Sequence, residues 1–313
     1  FRGPLLNIVY FAPVDWEFLY QRPQQLAARL GQKHHFHYIQ PFGLRSVTFS
    51  DFGRVGSRLR SLSARYAAAK GGPHVRNLFF VPSVHKPLLK LNGLIIARQL
   101  RTIANGSTII WVTLPSPVLL HVLPRIRHRS LVYEMMDDYP RLHPGREQAV
   151  RDVEERFLAR ADLVIVTSSA LAEKARRHVP EDRVVTVGNG VDYAFFNGSR
   201  GDAPRIVNGE GPIAGYAGSI DHWVDVDLID YLAGVFPHVQ FVLVGPLRIK
   251  NPPVRANIHY RGARPYAEMP GLYRTFDACL IPFSRTPLVD AVNPVKLWEY
   301  LSLGKPVVSI RSR

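Results

Sequence analysis

The chain has 313 residues, 46% of them hydrophobic, a single cysteine and a formal net charge of +15. Its length exceeds that of a typical domain and predicts two domains, each with enough apolar residues to build a core. A single cysteine excludes a disulfide framework within the chain, and the sequence has no apolar run of the roughly 18 residues that a membrane-spanning helix requires.

The positive charge is concentrated in the first 130 residues. They contain fourteen Arg and four Lys against Asp15, Glu17 and Asp51, a balance of +15 that equals the net charge of the whole chain. The range 45–101 has eleven basic residues and one acidic residue. Because 52–70 places arginines beside apolar residues on one helical face, it predicts contact with an anionic membrane surface. A basic loop without a dedicated partner is the alternative, and the absence of a nucleic-acid-binding motif argues against nucleic acid.

Strands and helices alternate along the first part of the chain. Continuous apolar runs predict buried strands, and amphipathic patterns between them predict helices. The predicted strands are 5–13, 77–82, 107–113, 130–136 and 162–168. The predicted helices include 22–32, 146–161 and 169–179.

A segment rich in Gly, Asn and Pro, 196–212, predicts a linker, and a second series of elements follows it. The later strands are predicted at 213–218, 241–246, 258–262, 278–283 and 306–309, and the later helices at 224–234, 267–275 and 294–303. This order predicts an α/β fold of two doubly wound Rossmann-like domains, 1–198 and 199–313, with ligands at the carboxyl ends of the strands in a cleft between them. The chain stops just after a strand, so we expect the C-terminal part to be incomplete.

The helix predicted at 294–303 places two opposite charges one turn apart. Asn293 is suited to cap its N-terminus and Gly304 to follow its C-terminus. Lys296 in the first turn adds a cation to the helix N-terminus, which favours phosphate, and Glu299 on the same face could accept hydrogen bonds from two sugar hydroxyls. This arrangement suits a bound nucleotide. An ordinary ion pair on a solvated helix is the alternative.

Five segments in order resemble the two-domain GT-B glycosyltransferases, especially the family-4-like enzymes of bacterial polysaccharide assembly. They read GNGVDYAFF, AGYAGSIDHWVDVDLI, VLVGP, IHYRGARPYAEMPGLYRTFDACLIPF and NPVKLWEYLSLGKPVV. The resemblance implies GT-B architecture, with an N-terminal acceptor-binding domain and a C-terminal domain that binds a UDP- or GDP-sugar. It implies no metal or other cofactor, and a saccharide or lipid-diphosphate-linked acceptor at the cytoplasmic face of the plasma membrane.

The resemblance also assigns donor contacts, with some departures from the family pattern. The first acid of the usual E-x7-E pair is replaced by Ala291, and Ser219 and Trp223 stand where many relatives have Arg and Lys. This variant pattern is similar to xanthan-type glucuronosyltransferases and teichuronic-acid-type transferases. The expected donor-binding residues are Gly218, Ser219, Arg264, Asn293, Lys296 and Glu299.

Two adjacent carboxylates follow the strand predicted at 130–136. Asp137 and Asp138 are the candidate catalytic residues, because a carboxylate there could accept the proton of an acceptor hydroxyl. In the similar glucuronosyltransferase pattern an Asp fills the Asp137 position. Helix capping is the alternative for one or both, and support is the more natural role for Asp138.

The turn after the first strand is bulky and could contact the acceptor. Asp15, Trp16 and Arg22 are the candidates there, since an aromatic face can stack on a sugar and an Arg at a helix start can meet phosphate. A packed turn with a surface Arg is the alternative. The twelve histidines show no metal-ligand spacing, and no metal site is expected.

Two other functions remain open. One is a nucleotide-sugar epimerase or hydrolase of the same fold, which would need neither an acceptor nor a basic membrane-facing domain. The other is a non-catalytic sugar-nucleotide-binding module, which the missing first acid at Ala291 favours.

Overall fold

A computed structural model describes residues 4–17, 20–41, 72–81, 86–198 and 206–310. The chain forms two compact units, Phe1–Val187 and Gly188–Arg313. The division precedes the boundary expected after residue 198. The segment before that boundary forms a helix, Tyr193–Gly198, whose Phe196 is fully buried in the core of the second unit.

The first unit contains a seven-stranded sheet in which every pairing is parallel. The strands are β1 (Asn7–Phe11), β2 (His35–Ile39), β3 (His74–Arg76), β4 (Thr108–Val112), β5 (Ser130–Met135), β6 (Leu163–Val166) and β7 (Val184–Thr186). Their order across the sheet is β3-β2-β1-β4-β5-β6-β7, so β4 lies between β1 and β5. This order brings the loops that follow β1, β4 and β5 to the same edge of the sheet.

Helices connect the strands of the first unit. They are α1 (Arg22–Leu30), α2 (Lys86–Leu100), α3 (Leu119–Val122), α4 (Glu147–Leu158) and α5 (Ser169–Ala175), with 3-10 turns at Leu123–Arg125 and Glu181–Arg183. α5 begins as its sequence suggests, because the Ser168 hydroxyl accepts a hydrogen bond from the Leu171 amide. Ala27 of α1 packs on Tyr10, Phe36 and Tyr38 in one buried cluster, which fixes α1 against β1 and β2.

The second unit contains a five-stranded parallel sheet in the order β10-β9-β8-β11-β12. Its strands are β8 (Ile213–Ala217), β9 (Gln240–Val244), β10 (Ile258–Tyr260), β11 (Ala278–Ile281) and β12 (Val307–Ser309). Its helices are α6 (Tyr193–Gly198), α7 (Val226–Val235), α8 (Met269–Arg274) and α9 (Val295–Ser302), with 3-10 turns at Tyr266–Glu268 and Val289–Ala291.

Side chains from both faces of this sheet are buried in separate clusters. Ile213 and Ala217 of β8 pack in the cluster that contains α8 and α9, whereas Ala214 and Tyr216 of the same strand pack in the cluster that contains α7. Successive strand residues point to opposite faces, so the alternation shows a sheet covered on both sides. The α/β fold and its two Rossmann-like units are as predicted.

One predicted strand is absent from the described residues. The run predicted as a strand at 77–82 has no strand over 77–81, and β3 lies just before it at His74–Arg76. Side chains of α2 replace the missing strand partner. Gln99 bonds the amide and carbonyl of Phe79 at 2.9 and 2.8 Å, and Asn92 bonds those of Val81 at 2.8 and 2.7 Å. The backbone polar groups of Phe79 and Val81 are thus satisfied without a sheet neighbour.

Candidate functional site

In the first unit, the candidate residues after β1 and β5 lie at one edge of the sheet. Phe11 of β1 pairs with Val112 of β4, and Val112 pairs with Tyr133 of β5, so all three strands end at similar heights. The loops that follow them therefore lie at the carboxyl edge, where ligands bind in sheets of this design. This edge brings Asp15 and Asp137 to the same end of the unit.

Asp137 has an unengaged carboxylate. Its side chain is partly exposed, and no hydrogen-bond or ion-pair partner for it is found in the described part of the chain. Burial, with a smaller contribution from the charge of Asp138, raises the pKa of Asp137 from 3.8 to about 6. A carboxylate with this pKa is ionised at neutral pH and holds a proton more readily than an ordinary Asp, which suits a general base.

Asp138 has a different environment from that of its neighbour. It is 3% exposed, and its two carboxylate oxygens are bound by Lys174 Nζ at 2.9 Å and by Arg141 Nη1 at 2.5 Å. Burial alone would raise the pKa of Asp138, but the hydrogen bond and charge of Lys174, together with Arg141, outweigh it and hold the pKa below its usual value. Both of its oxygens are occupied, so the two candidates have separate roles: Asp137 can accept a proton and Asp138 anchors the loop.

Arg22 forms a buried ion pair that the sequence did not indicate. Its Nε lies 2.7 Å from Oε1 of Glu134 on β5, and Trp111 Nε1 donates to the other oxygen of Glu134 at 2.9 Å. Glu134 is fully buried, and burial raises its pKa although the charge of Arg22 opposes the shift. The predicted contact of Arg22 with acceptor or phosphate stays a prediction. The structure adds that its Nε, at the start of α1, balances the buried carboxylate of Glu134 on β5.

We expect Arg22→Lys to lower the free energy of unfolding by about 1 kcal/mol, because it keeps the charge but loses the Nε hydrogen bond to Glu134. Chemical denaturation measures the change. Arg29→Lys is the matched control, since Arg29 is exposed on the same helix and should change stability by less than about 0.5 kcal/mol. If the two variants were equally stable, the Nε hydrogen bond of Arg22 to Glu134 would contribute nothing measurable to stability.

Trp16 and Asp15 form a packed turn. The Trp16 ring lies edge-on to Tyr38 at a centroid distance of 5.1 Å, and its backbone amide donates to Gln40 Oε1 at 2.8 Å. Asp15 is exposed, and its carbonyl accepts from Gln24 Nε2 at 3.2 Å. The indole thus packs on the core cluster, while the Asp15 carboxylate faces solvent.

In the second unit, three loops meet at the carboxyl edge of the sheet. The Gly218 amide after β8 donates to Val244 at 2.8 Å, and the Gly245 amide after β9 donates to Gly262 after β10 at 2.8 Å. Gly245 has φ +146°, and a Cβ there would lie 1.9 Å from the Gly218 carbonyl oxygen. Only glycine permits this approach.

Lys296 lies close to the Gly218 turn. A Cβ at Gly218 would lie 3.5 Å from Lys296 Cε, and 2.5 Å from Tyr216 Oη. The cation of α9 therefore stands next to the turn that follows β8, as the nucleotide interpretation requires. The structure therefore brings two of the predicted donor contacts, Gly218 and Lys296, together.

Glu299 is buried, which excludes the solvated ion pair considered from the sequence. It is 3% exposed, and its Oε2 accepts a hydrogen bond from the Tyr273 hydroxyl at 2.8 Å and lies 3.4 Å from Lys296 Nζ. Burial and the charge of Glu299 raise the pKa of Tyr273 well above its usual value, so its hydroxyl remains a donor. Tyr300 completes this arrangement, because its hydroxyl accepts from the Ala217 amide at 3.0 Å and fixes α9 to the end of β8.

Asn293 does not cap α9. The helix begins at Val295 with Pro294 as the N-cap residue, and no side chain bonds the first amides. Asn293 Oδ1 accepts instead from the Asn189 amide and from Trp298 Nε1, both at 3.3 Å. The predicted N-cap was wrong, because the loop carrying Asn189 provides donors that compete for the same oxygen. The C-terminal end of α9 is as predicted, because Gly304 follows the helix and has φ +66°.

The two remaining donor candidates lie in loops at the same edge. The Ser219 carbonyl accepts from the Tyr216 hydroxyl at 3.1 Å, and its own hydroxyl is buried without a partner among the described residues. Arg264 is exposed in the loop that follows Gly262, where φ is +62°. The structure brings Gly218 and Lys296 together and shows no contact of either with Arg264.

Sequence reasoning missed three residues that support these sites. Glu134, Lys174 and Tyr273 each lie within an ordinary strand or helix pattern, and each acts on a residue far away in the chain. Glu134 was detectable only as a charge within the otherwise apolar run of β5, and Lys174 has no signal beyond that of an ordinary helix lysine. In the described ranges, no group of three or more His, Cys, Asp or Glu could hold a metal ion, and no helix is long and apolar enough to cross a membrane.

The family model described as "Glycosyl transferase 4-like domain" matches residues 25–190, more than half of the chain. The chain belongs to this family. The match extends from within α1 through β7 and includes Asp137 and the ion pairs around Asp138. This match confirms the prediction, made from the sequence, that the chain is a family-4-like glycosyltransferase.

A curated relative in Bacillus subtilis, named as a teichuronic acid biosynthesis glycosyltransferase, TuaH, is 28% identical over 230 residues. That alignment covers 66% of this chain and 56% of the relative, so the chain spans little more than half the length of the protein it matches.

Solved structures show the same fold at low identity. Sucrose-phosphate synthase from Thermosynechococcus elongatus has a TM-score of 0.68 at 14% identity, and the alignment covers 97% of this chain and 81% of that one. Anabaena HepE, solved in complex with UDP-glucose, has a TM-score of 0.61 at 16% identity over 97% of this chain and 80% of its own. The predicted GT-B fold class is confirmed.

Proposed function

We propose that this protein is a glycosyltransferase that moves a sugar from a nucleotide-sugar donor to a saccharide or lipid-diphosphate-linked acceptor in bacterial surface polysaccharide synthesis. The observation that carries the proposal is Lys296 beside the Gly218 turn, on a helix whose Glu299 is buried and anchored. Membership of the glycosyl transferase 4-like family supports the reaction class. The name of the teichuronic acid relative supports the surface-polysaccharide role.

The second unit is assigned to the donor. The amides at the start of α9 and the Lys296 ammonium would bind the diphosphate, and Glu299 would accept hydrogen bonds from the ribose. Its Oε2 is occupied by Tyr273, which leaves Oε1 for the sugar hydroxyls. The UDP-glucose complex of the structural neighbour HepE supports a UDP-sugar, and a GDP-sugar is the second candidate.

The first unit is assigned to the acceptor. The acceptor oxygen would form a bond to the anomeric carbon of the donor sugar, and the bond from that carbon to the phosphate oxygen would break. Asp137 would take the acceptor proton, and the nucleoside diphosphate would leave with its charge stabilised by Lys296. All the groups that this scheme needs are supplied by the chain and its two substrates, and no metal or cofactor is required.

Thermal unfolding with candidate nucleotide sugars tests the donor assignment. A ligand that binds only the folded state raises the melting temperature by mass action, so we expect one of the UDP-, GDP- or dTDP-sugars to do so. Incubation with the same sugars and a crude lipid extract then distinguishes the three functions. Transfer supports the proposal, conversion without acceptor indicates an epimerase or hydrolase, and binding without turnover indicates a non-catalytic module.

We further propose that the protein acts as a peripheral protein on the inner face of the plasma membrane, through the first unit. Much of the basic segment 45–101 that suggested this, including the helical face at 52–70, lies outside the described residues. Its described part includes α2, which exposes Leu91 and Leu94 at 44% and 54% beside the exposed Lys90 and Arg98. No Asp or Glu occurs between Asp51 and Glu134 to oppose binding to anionic lipid.

Binding to vesicles that contain phosphatidylglycerol should fall as salt is added, because surface charges are screened over roughly 8–10 Å near physiological ionic strength. Replacing Lys90 and Arg98 by Ser should weaken it by roughly tenfold or more, since each basic residue at such a surface contributes about 1 kcal/mol. Vesicle co-sedimentation measures both. Binding that ignores salt, or equal binding to neutral phosphatidylcholine vesicles, would contradict the proposal.

A further inference from the structure

Two buried carboxylates share one lysine behind the Asp137 loop. Asp138 and Glu154 are 3% and 1% exposed. Lys174 Nζ lies 2.9 Å from Asp138 Oδ1 and 2.6 Å from Glu154 Oε2. The three residues come from the loop after β5, from α4 and from α5, so a single ammonium group joins three elements.

Stability is a poor explanation for this network. Desolvation of buried charges offsets most of their attraction, and well-packed apolar residues in their place are often equally stable or more so. Glu154 also accepts a hydrogen bond from the Tyr133 hydroxyl at 3.3 Å, so the cluster contains several buried polar groups. The backbone that the network holds in place offers another role for these residues.

The residues on both sides of Asp137 are held by contacts. Asp138 is bound by the network, and Met136 is bound by the residue that follows β6. The Thr167 hydroxyl, at the end of β6, donates to the Met136 carbonyl at 2.9 Å. Lys174, on the helix that follows β6, holds the Asp138 side chain. The residues before and after Asp137 are thus both fixed by the β6–α5 segment, while the Asp137 carboxylate itself is unengaged.

We propose that Lys174 is a positioning residue for Asp137: its ion pair fixes Asp138, and so keeps both the loop in place and a negative charge beside the Asp137 carboxylate. The inference rests on the proposed function, because it assumes that Asp137 accepts a proton from the acceptor hydroxyl. Lys174 contacts neither substrate in this scheme and acts only through Asp138.

The charges around the pair agree with this role. Asp138 faces Lys174 from α5 and Arg141 from its own loop, and Lys174 faces Glu154 from α4. The group that Asp137 most affects on its own loop is Tyr139, whose pKa is raised by burial and by the charge of Asp137. The charge of Asp138 adds to burial in raising the pKa of Asp137.

Carbon-13 NMR titration of the aspartate carboxyl groups tests the inference without donor or acceptor, with signals assigned from Asp137→Asn and Asp138→Asn. The test variant is the double substitution K174M/E154Q, which removes one buried charge of each sign. The control is E154Q, which keeps the Lys174–Asp138 pair. We expect the pKa of Asp138 to be higher in the double variant than in the control, because the charge and hydrogen bond of Lys174 lower it.

A second arm of the experiment does not involve Lys174. In Asp138→Asn the negative charge beside Asp137 is gone, so the pKa of Asp137 should fall below the value of about 6 in the parent protein. In a transfer assay with the nucleotide sugar that the parent protein uses, K174M/E154Q should lower turnover relative to E154Q at equal affinity for the nucleoside diphosphate.

Three results would overturn the inference. The first is an Asp138 pKa that is the same in K174M/E154Q and E154Q, and the second is an Asp137 pKa that does not change in Asp138→Asn. The third is equal turnover of K174M/E154Q and E154Q in a preparation whose parent protein transfers sugar. Failure of the proposed function would look different. The parent protein would then neither bind nucleoside diphosphates nor transfer sugar, while the titrations gave the expected results.

Discussion

Asp137→Asn should lower the rate of sugar transfer by a factor of about 10² to 10⁴ while donor affinity stays nearly unchanged. General-base catalysis typically contributes a factor of this size, and the amide cannot accept the acceptor proton. Asn has almost the same shape, and the Asp137 side chain has no partner among the described residues that the substitution would break. Calorimetry with the nucleoside diphosphate, beside a transfer assay, measures the two effects separately.

The same substitution should not weaken the fold. The pKa of Asp137 is raised in the folded state, from 3.8 to about 6, so the folded protein pays an electrostatic cost for the ionised carboxylate at neutral pH. A neutral Asn removes this cost, and stability at neutral pH should rise. Asp152→Asn, on the exposed face of α4, is the matched control and should keep transfer activity. Full activity in Asp137→Asn would remove Asp137 from the mechanism.

The raised pKa also sets the pH dependence of the reaction. A base works only when ionised, so transfer should decline as pH falls through about 6 and should then drop about tenfold per pH unit. An ordinary Asp would produce this decline near its usual value of 3.8. A rate profile that stays flat from neutral pH down to pH 5 would show that Asp137 is not the titrating base.

Lys296→Ala should weaken donor binding by roughly ten- to a hundredfold and lower turnover with it. Charge-assisted hydrogen bonds contribute about 1.5–3 kcal/mol, and the ammonium beside the Gly218 turn would face the negative charge of the diphosphate. Calorimetry with the nucleoside diphosphate measures the loss. Lys250→Ala is the matched control, because Lys250 is exposed in the loop after β9.

Glu299→Gln should cost less than Lys296→Ala. Gln keeps the shape and still accepts from the Tyr273 hydroxyl, but it is a weaker acceptor for the ribose than a carboxylate. Loss of the Glu299 charge also weakens its contact with Lys296 at 3.4 Å, which leaves the ammonium more available for phosphate. If Lys296→Ala binds donor as well as the parent does, α9 is not a donor site and the Lys296–Glu299 contact is only an ion pair.

Most of the fold could be predicted because its signals are local. Continuous apolar runs such as 130–136 can be buried only in a sheet covered on both faces, and β5 forms there. The run at 77–82 gives the same local signal, yet 77–81 contain no strand. Its backbone partners are the side-chain amides of Asn92 and Gln99, which no periodicity could reveal.

The candidate site was only partly predictable for a similar reason. Asn293 has the residue type of an N-cap and precedes a proline, but a loop more than a hundred residues earlier in the chain supplies the donor that its oxygen accepts. Arg22 at a helix start resembles a phosphate ligand, and its Nε also pairs with Glu134 on a distant strand. In each case the side chain has a long-range partner that local reasoning could not indicate.

The sequence by itself determined the alternation of strands and helices and the concentration of positive charge in the first 130 residues. These properties depend only on residue types and their spacing along the chain, and both can be read from the sequence. Only the tertiary structure decided that Asp137 is unengaged while Asp138 is bound by Lys174, and that Glu299 is buried against Tyr273. Burial and ion pairing depend on which distant elements meet, and those contacts set the protonation state of a carboxylate and the groups it can bind.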